Sequence, residues 1–116
     1  MRVLNILAAL SGLAALVMLV LAAHAFQSIM DAEAIARVQL GAFMQLGAAT
    51  AGLAIANRSG RLNLIAGLMI LIGAALFSTT LYLISLTGER WFALMAPIGG
   101  ITLISGWAVL LFARPS

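Results

Sequence analysis

Nine charged side chains divide the 116 residues into four uncharged runs, 3–30, 38–57, 62–88 and 91–113. The runs are 28, 20, 27 and 23 residues long and hold 98 of the 116 residues. An α-helix needs about 20 mostly apolar residues to cross the hydrocarbon of a bilayer. Each run meets that length, so the spacing predicts four spans joined by short turns. Barrel strands would need segments of about 10 residues with alternating polarity. These runs are continuous and rich in Ala, Leu and Met. A continuous apolar segment in lipid satisfies its own backbone hydrogen bonds as a helix. A soluble domain fails on composition. The chain is 65% apolar and 8% charged, with a mean hydropathy of +1.20. Soluble domains run at about 45–50% apolar and about 25% charged, and short chains hide the smallest share of their surface. The expected fold is all-α: one integral membrane domain over residues 1–116, a four-helix up-down-up-down bundle. Its spans are expected at about 3–25, 35–56, 62–86 and 91–113.

The turns carry their own signals. Ser28 or Asp31 can cap the second helix, which places Asp31 and Glu33 at the positive end of its dipole. Asn57 to Arg61 form a polar turn in which Asn and Gly suit a helix end. Thr87-Gly88-Glu89-Arg90 form another, with Gly88 after the last apolar residue. Met1-Arg2, the apolar stretch and Ala23-His24-Ala25 resemble a signal peptide, but the stretch exceeds an h-region of about 7–15 residues. A retained first helix is the reading preferred.

Arginine placement predicts orientation. Arg2, Arg58, Arg61 and Arg114 share one side, without acids. Arg37 and Arg90 share the other with Asp31, Glu33 and Glu89. Both termini are therefore expected on the cytoplasmic side, which a reporter fused at Ser116 would test.

Helices associate in lipid through small residues that let backbones approach. Small or polar residues recur at helical spacing in every span: Asn5, Ala8, Gly12, Ala15 and Ala22; Gly41, Gln45, Ala48 and Gly52; Gly67, Ala74, Ser78 and Ser85; Gly99, Thr102 and Gly106. They predict the seam of a compact bundle, or a homodimer face where one does not fit inside.

The candidate polar positions each have a structural and a functional reading. His24, near the end of the first span, is a packed or interfacial His, or a protonatable switch. Gln45 lies within the second span and must find a partner there; interhelical bonding is preferred. The hydroxyls from Ser78 to Thr87 can bond back to carbonyls one turn earlier and need no pore. Glu33 and Arg37 stand at i, i+4 in the favourable order. With Asp31, Glu89 and Arg90 they are expected to form a charge-paired cap, each exposed pair contributing about 0–1 kcal/mol. Trp91 and Trp107 stand 16 residues apart, roughly 24 Å along a helix, which suits the two interfaces. Pro97 should kink the fourth helix by freeing the carbonyl of Ala93. Gly99 and Gly100 should let another backbone approach that kink.

Residues 82–107, YLISLTGERWFALMAPIGGITLISGW, resemble the C-terminal signature of the YgdD-like, transmembrane-protein-256-like family, domain of unknown function 423. The residues carrying the resemblance are Leu86, Gly88, Arg90, Trp91, Pro97, Ile98, Gly99, Gly100, Gly106 and Trp107. Ala23-His24-Ala25 is similar to the family's A-H-G, and Ala32-Glu33-Ala34-Ile35 to its P-E-A-L-like segment. Gln45 is kept, whereas Met44 and Ala48 stand where the family has an aromatic residue and a His. The resemblance implies a small four-helix protein of the bacterial inner membrane and brings no established chemistry.

There is no cysteine, hence no disulfide or thiolate chemistry. One His and three acids are too few for a multi-ligand metal centre, and no cofactor is expected. The pI near 11.3 arises from six arginines in a nearly uncharged chain. Without a basic stripe it does not point to nucleic acid. The expected partners are the lipid bilayer and a larger membrane complex or a second copy. The preferred function is a non-enzymatic accessory, structural or complex-stabilising membrane protein. The alternative is a small transporter or channel, but all three acids lie at span ends, where they cannot serve as a membrane-embedded coupling group. An enzyme would need a constellation richer than His24 with Asp31 or Glu33.

Overall fold

The computed structural model describes residues 1–115; Ser116, the position named for a reporter, lies outside the described residues. Four helices follow one another: α1 (Arg2–Ala23), α2 (Ala32–Ile55), α3 (Arg61–Thr87) and α4 (Met95–Phe112), with one 3₁₀ turn, Ala25–Ser28, after α1. All four are long and apolar enough to cross a membrane. The molecule is 47 Å long, enough to traverse a bilayer of about 40–45 Å with its headgroups.

The helix ends follow from local chemistry. Asp31 caps α2, its side chain accepting from the Ala34 amide at 2.8 Å. Gly88 ends α3 in the left-handed region, φ 74°, a conformation costly for a residue with a Cβ. Gly60, with φ 99°, begins α3 rather than ending α2. The N-terminal ammonium of Met1 donates to the Ala56 carbonyl at the end of α2.

Two expectations about the fourth span are corrected. Residues 91–94 are a turn and α4 begins at Met95, so Pro97 lies in the first helical turn. Amides there have no intrahelical partner to lose, and the Ala93 carbonyl accepts from Ala96 instead. Pro97 therefore starts the helix and does not kink it. Trp91 consequently stands outside α4, so the 24 Å helical separation from Trp107 does not apply. The 18 residues of α4 span about 27 Å, slightly less than the hydrocarbon. The turn carrying Trp91 and Leu94, both 78% exposed, extends the apolar surface at that end.

The helices run antiparallel in sequence order. α1 packs on α2, α2 on α3 and α3 on α4, with a smaller contact between α1 and α3. α4 makes no comparable interface with α1 or α2. The expected compact bundle is therefore an open one, with α4 attached through α3. Lipid tails are as apolar as leucine, so no hydrophobic force closes such a bundle.

Close packing holds it instead. One core cluster joins Leu4 and Ala8 of α1, Ala48 and Ile55 of α2, Ile70, Leu71 and Ala74 of α3, and Leu103 of α4. A second, towards the acidic end, joins Ala22, Phe26, Ile35, Val38, Ala42 and Tyr82. The α3–α4 seam is nearly backbone on backbone. A Cβ added at Gly73 would stand 2.5 Å from the Leu103 nitrogen, and one at Gly99 would stand 2.5 Å from the Phe77 nitrogen. A Cβ at Gly106 would meet the Ile70 nitrogen at 2.9 Å. The expected close approach at Gly99 is thus present. At Gly100 the nearest neighbour would be a Phe77 ring carbon at 3.8 Å, ordinary contact.

Candidate functional site

A row of buried polar groups lies between α2 and α3. Gly41 and Gln45 are one turn apart on α2, and Ser78 and Tyr82 are one turn apart on α3. The Ser78 hydroxyl donates to the Gly41 carbonyl at 2.6 Å, and the Tyr82 hydroxyl donates to Gln45 Oε1 at 2.8 Å. Glycine at 41 makes this fit, since a Cβ there would stand 3.1 Å from Tyr82 Cε1. Towards the acidic end, Ser85 adds a third crossing bond to the Ala34 carbonyl at 3.1 Å. Thr80 and Thr87 instead bond back to Leu76 and Leu83 on their own helix. Gln45 therefore has the partner its depth demands. Gln45→Leu and Tyr82→Phe should each lower stability. A double-mutant cycle should return a coupling of about 0.6 kcal/mol and at most about 1.7 kcal/mol. Unfolding of purified protein in bicelles measures it.

Ala48, where the resemblance implies a His, is buried in the apolar core, and Met44 is 39% exposed on the outer surface. This part of α2 is thus apolar around the single amide of Gln45.

At the acidic end the candidate residues serve separate local purposes. His24 is exposed, ends α1 and places Nδ1 3.0 Å from the Val20 carbonyl. Gln27 donates to the Ala22 carbonyl at 2.9 Å. Asp31 is engaged as the cap of α2. Glu33 lies in the first turn of that helix, where its charge meets the positive end of the dipole. The Glu89 amide donates to Thr87 Oγ1 at 3.1 Å. The Trp91 and Phe92 rings meet edge to face, 4.8 Å between centroids. The expected charge-paired cap is corrected. Among the described residues no ion pair joins Glu33 to Arg37 or Glu89 to Arg90, and none joins His24 to Asp31 or Glu33. Exposed partners gain too little from pairing to offset the ordering of two side chains.

The sequence from 20 to 100 matches the family model described as "Protein of unknown function (DUF423)". The chain is 32% identical over 117 residues to the Escherichia coli K12 "UPF0382 inner membrane protein YgdD", covering 95% of this chain and 87% of that protein. It is 33% identical over 109 residues to a Haemophilus influenzae "UPF0382 membrane protein", covering 91% and 88%. A Staphylococcus epidermidis "UPF0382 membrane protein" is 42% identical over 48 residues, 41% of this chain and 39% of that one. The chain belongs to the DUF423 family. No solved structure matches it. Its DUF423 relatives include named inner-membrane proteins, and this chain, with its four spans, is a multi-pass protein of the same membrane.

The arginine-rich end of this DUF423 chain holds a centre that the sequence reading missed. Asn63, in the first turn of α3, is 2% exposed. Its Nδ2 donates to the Ser59 carbonyl at 2.9 Å and to the Arg114 carbonyl at 2.7 Å. Its Oδ1 accepts from Arg58 at 3.3 Å. One amide thus joins the α2–α3 loop to the segment after α4. Beside it is an open cleft of about 370 Å³ lined by Ser59, Gly60, Arg61, Leu62, Asn63, Phe112 and Arg114. The available signal was an Asn between two apolar residues just inside a span, where an unpaired amide is costly. Gly73 was also missed; it stands apart from the stripe of Gly67, Ala74 and Ser78. Among the described residues no three His, Asp or Glu side chains come together as metal ligands would.

Proposed function

We propose that this DUF423 protein is a non-enzymatic accessory subunit that stabilises a larger complex of the inner membrane, with both termini on the cytoplasmic side. The observation carrying this reading is how the buried polar groups are used. Every buried side-chain nitrogen and oxygen among the described residues has a hydrogen-bond partner. The Gln45–Tyr82 and Ser78–Gly41 bonds lock α2 to α3 rather than offering groups to a solute. The open arrangement adds support. α1 and α4 lie at the edges, and in each only 17% of the spanning window is buried within the chain. Such edges are available to a neighbouring membrane protein without unpacking the core.

The alternative, a small transporter or channel, makes a distinct demand. A carrier needs polar groups that exchange partners as it turns over. Reconstituted in proteoliposomes, the protein should show no proton-coupled or ion flux above empty vesicles. Flux that disappears in Gln45→Ala or His24→Ala would replace the accessory reading with the transport one.

A further inference from the structure

The cleft at the arginine-rich end combines features that the accessory role does not use. Arg61 and Arg114, both exposed, are among the residues that line it. Among the described residues neither side chain has a hydrogen bond or an ion pair. Arg58 adds a third positive charge beside them, fixed by its bond to Asn63. No acid lies in this loop or in the described part of the C-terminal segment. The other lining residues include Leu62, 47% exposed, and Phe112, 79% exposed. The cleft therefore opens where α3 begins and α4 ends, at the ends of two spans. The backbone of Arg114 is tied to the first turn of α3 by Asn63, which keeps both arginines at the same cleft.

We propose that this cleft seats the phosphate of an anionic phospholipid, with Arg61 and Arg114 on the phosphate and Leu62 and Phe112 against the start of the acyl chains. Planar guanidinium groups match phosphate oxygens with paired N–H donors. Basic pockets between spans at a membrane face take anionic headgroups in this way. A lipid rather than free phosphate is the occupant because the exposed apolar side chains of Leu62 and Phe112 line the same cleft as the arginines, at the ends of two spans. A soluble anion would leave that surface uncovered.

The test reconstitutes the full chain in nanodiscs of equal parts phosphatidylglycerol and phosphatidylcholine and counts retained lipid by native mass spectrometry. The wild-type protein should retain phosphatidylglycerol in preference to phosphatidylcholine. Arg61→Gln with Arg114→Gln should weaken that retention by roughly ten- to thirtyfold, the effect of two membrane-facing charges. Arg61→Gln alone should produce a smaller loss. Arg2→Gln with Arg90→Gln removes the same net charge away from the cleft and should leave retention unchanged. Thermal unfolding in pure phosphatidylcholine should be the same for all variants, which separates lost binding from lost folding. Equal losses in the two double variants would overturn the proposal in favour of diffuse surface charge. Displacement of the lipid by millimolar inorganic phosphate as effective as that by added phosphatidylglycerol would overturn it in favour of a free-phosphate site.

Discussion

Gly99→Leu and Gly73→Leu are each expected to destabilise the protein by about 3 kcal/mol or more, the upper end of overpacking costs. A Cβ at either position would stand 2.5 Å from a backbone nitrogen of the facing helix. Backbone cannot swing aside as a long side chain can, so α3 and α4 must separate. The separation is costly because α4 has no second helix of this chain to fall back on. Gly100→Ala is the control one residue away. Its Cβ would have Phe77 Cδ1 at 3.8 Å as its nearest neighbour, and stability should change by no more than about 0.5 kcal/mol. Reversible unfolding in bicelles distinguishes the pair. A Gly99→Leu protein as stable as wild type would mean that α4 does not lie on α3 in this register.

Asn63→Leu should have the next largest effect, about 1–3 kcal/mol, the cost of leaving buried polar groups without partners. The substitution preserves approximate size but removes both donors and the acceptor. The Ser59 and Arg114 carbonyls lose their N–H bonds from the amide, and Arg58 loses its anchor. Asn63→Asp keeps an acceptor for Arg58 yet still deprives both carbonyls. It also buries a charge, so it should be no better. The loss should be local as well as global: hydrogen exchange should quicken at residues 58–62 and at the end of α4. It should stay unchanged at the Gln45–Tyr82 seam. Uniform exchange across the chain would contradict the role of Asn63 as a local tie.

These three positions, Gly99 expected from the sequence and Gly73 and Asn63 not, show where the sequence was legible and where it was not. Charges are so scarce that their positions mark the turns directly, and Asp31 and Gly88 mark helix ends by chemistry that is local. Pro97 was misleading because its effect depends on where the helix starts. A proline kinks an interior but is at home in a first turn, and the apolar residues 91–94 hid the true start. The seams were harder still. In water, a hydrophobic stripe marks the buried face of a helix. In lipid every face is apolar, so only small and polar residues carry the signal, and several stripes fit equally well. Gln45 stood out because an amide in hydrocarbon requires a partner, but that Tyr82 supplies it depends on the antiparallel register of α2 and α3. The open placement of α4 had no sequence signal, since lipid covers an unpacked face at no cost.

The measurement that bears most directly on the accessory role uses the edge helices in native membranes. Photocrosslinking residues would replace Ile101 or Ile104 of α4, which are 65% and 70% exposed, and Leu10 or Leu13 of α1, which are 58% and 62% exposed. An accessory subunit should give discrete protein adducts from at least one of these edges, and none from the buried Ala74 position. Adducts with lipid alone at all four edge positions would contradict the role.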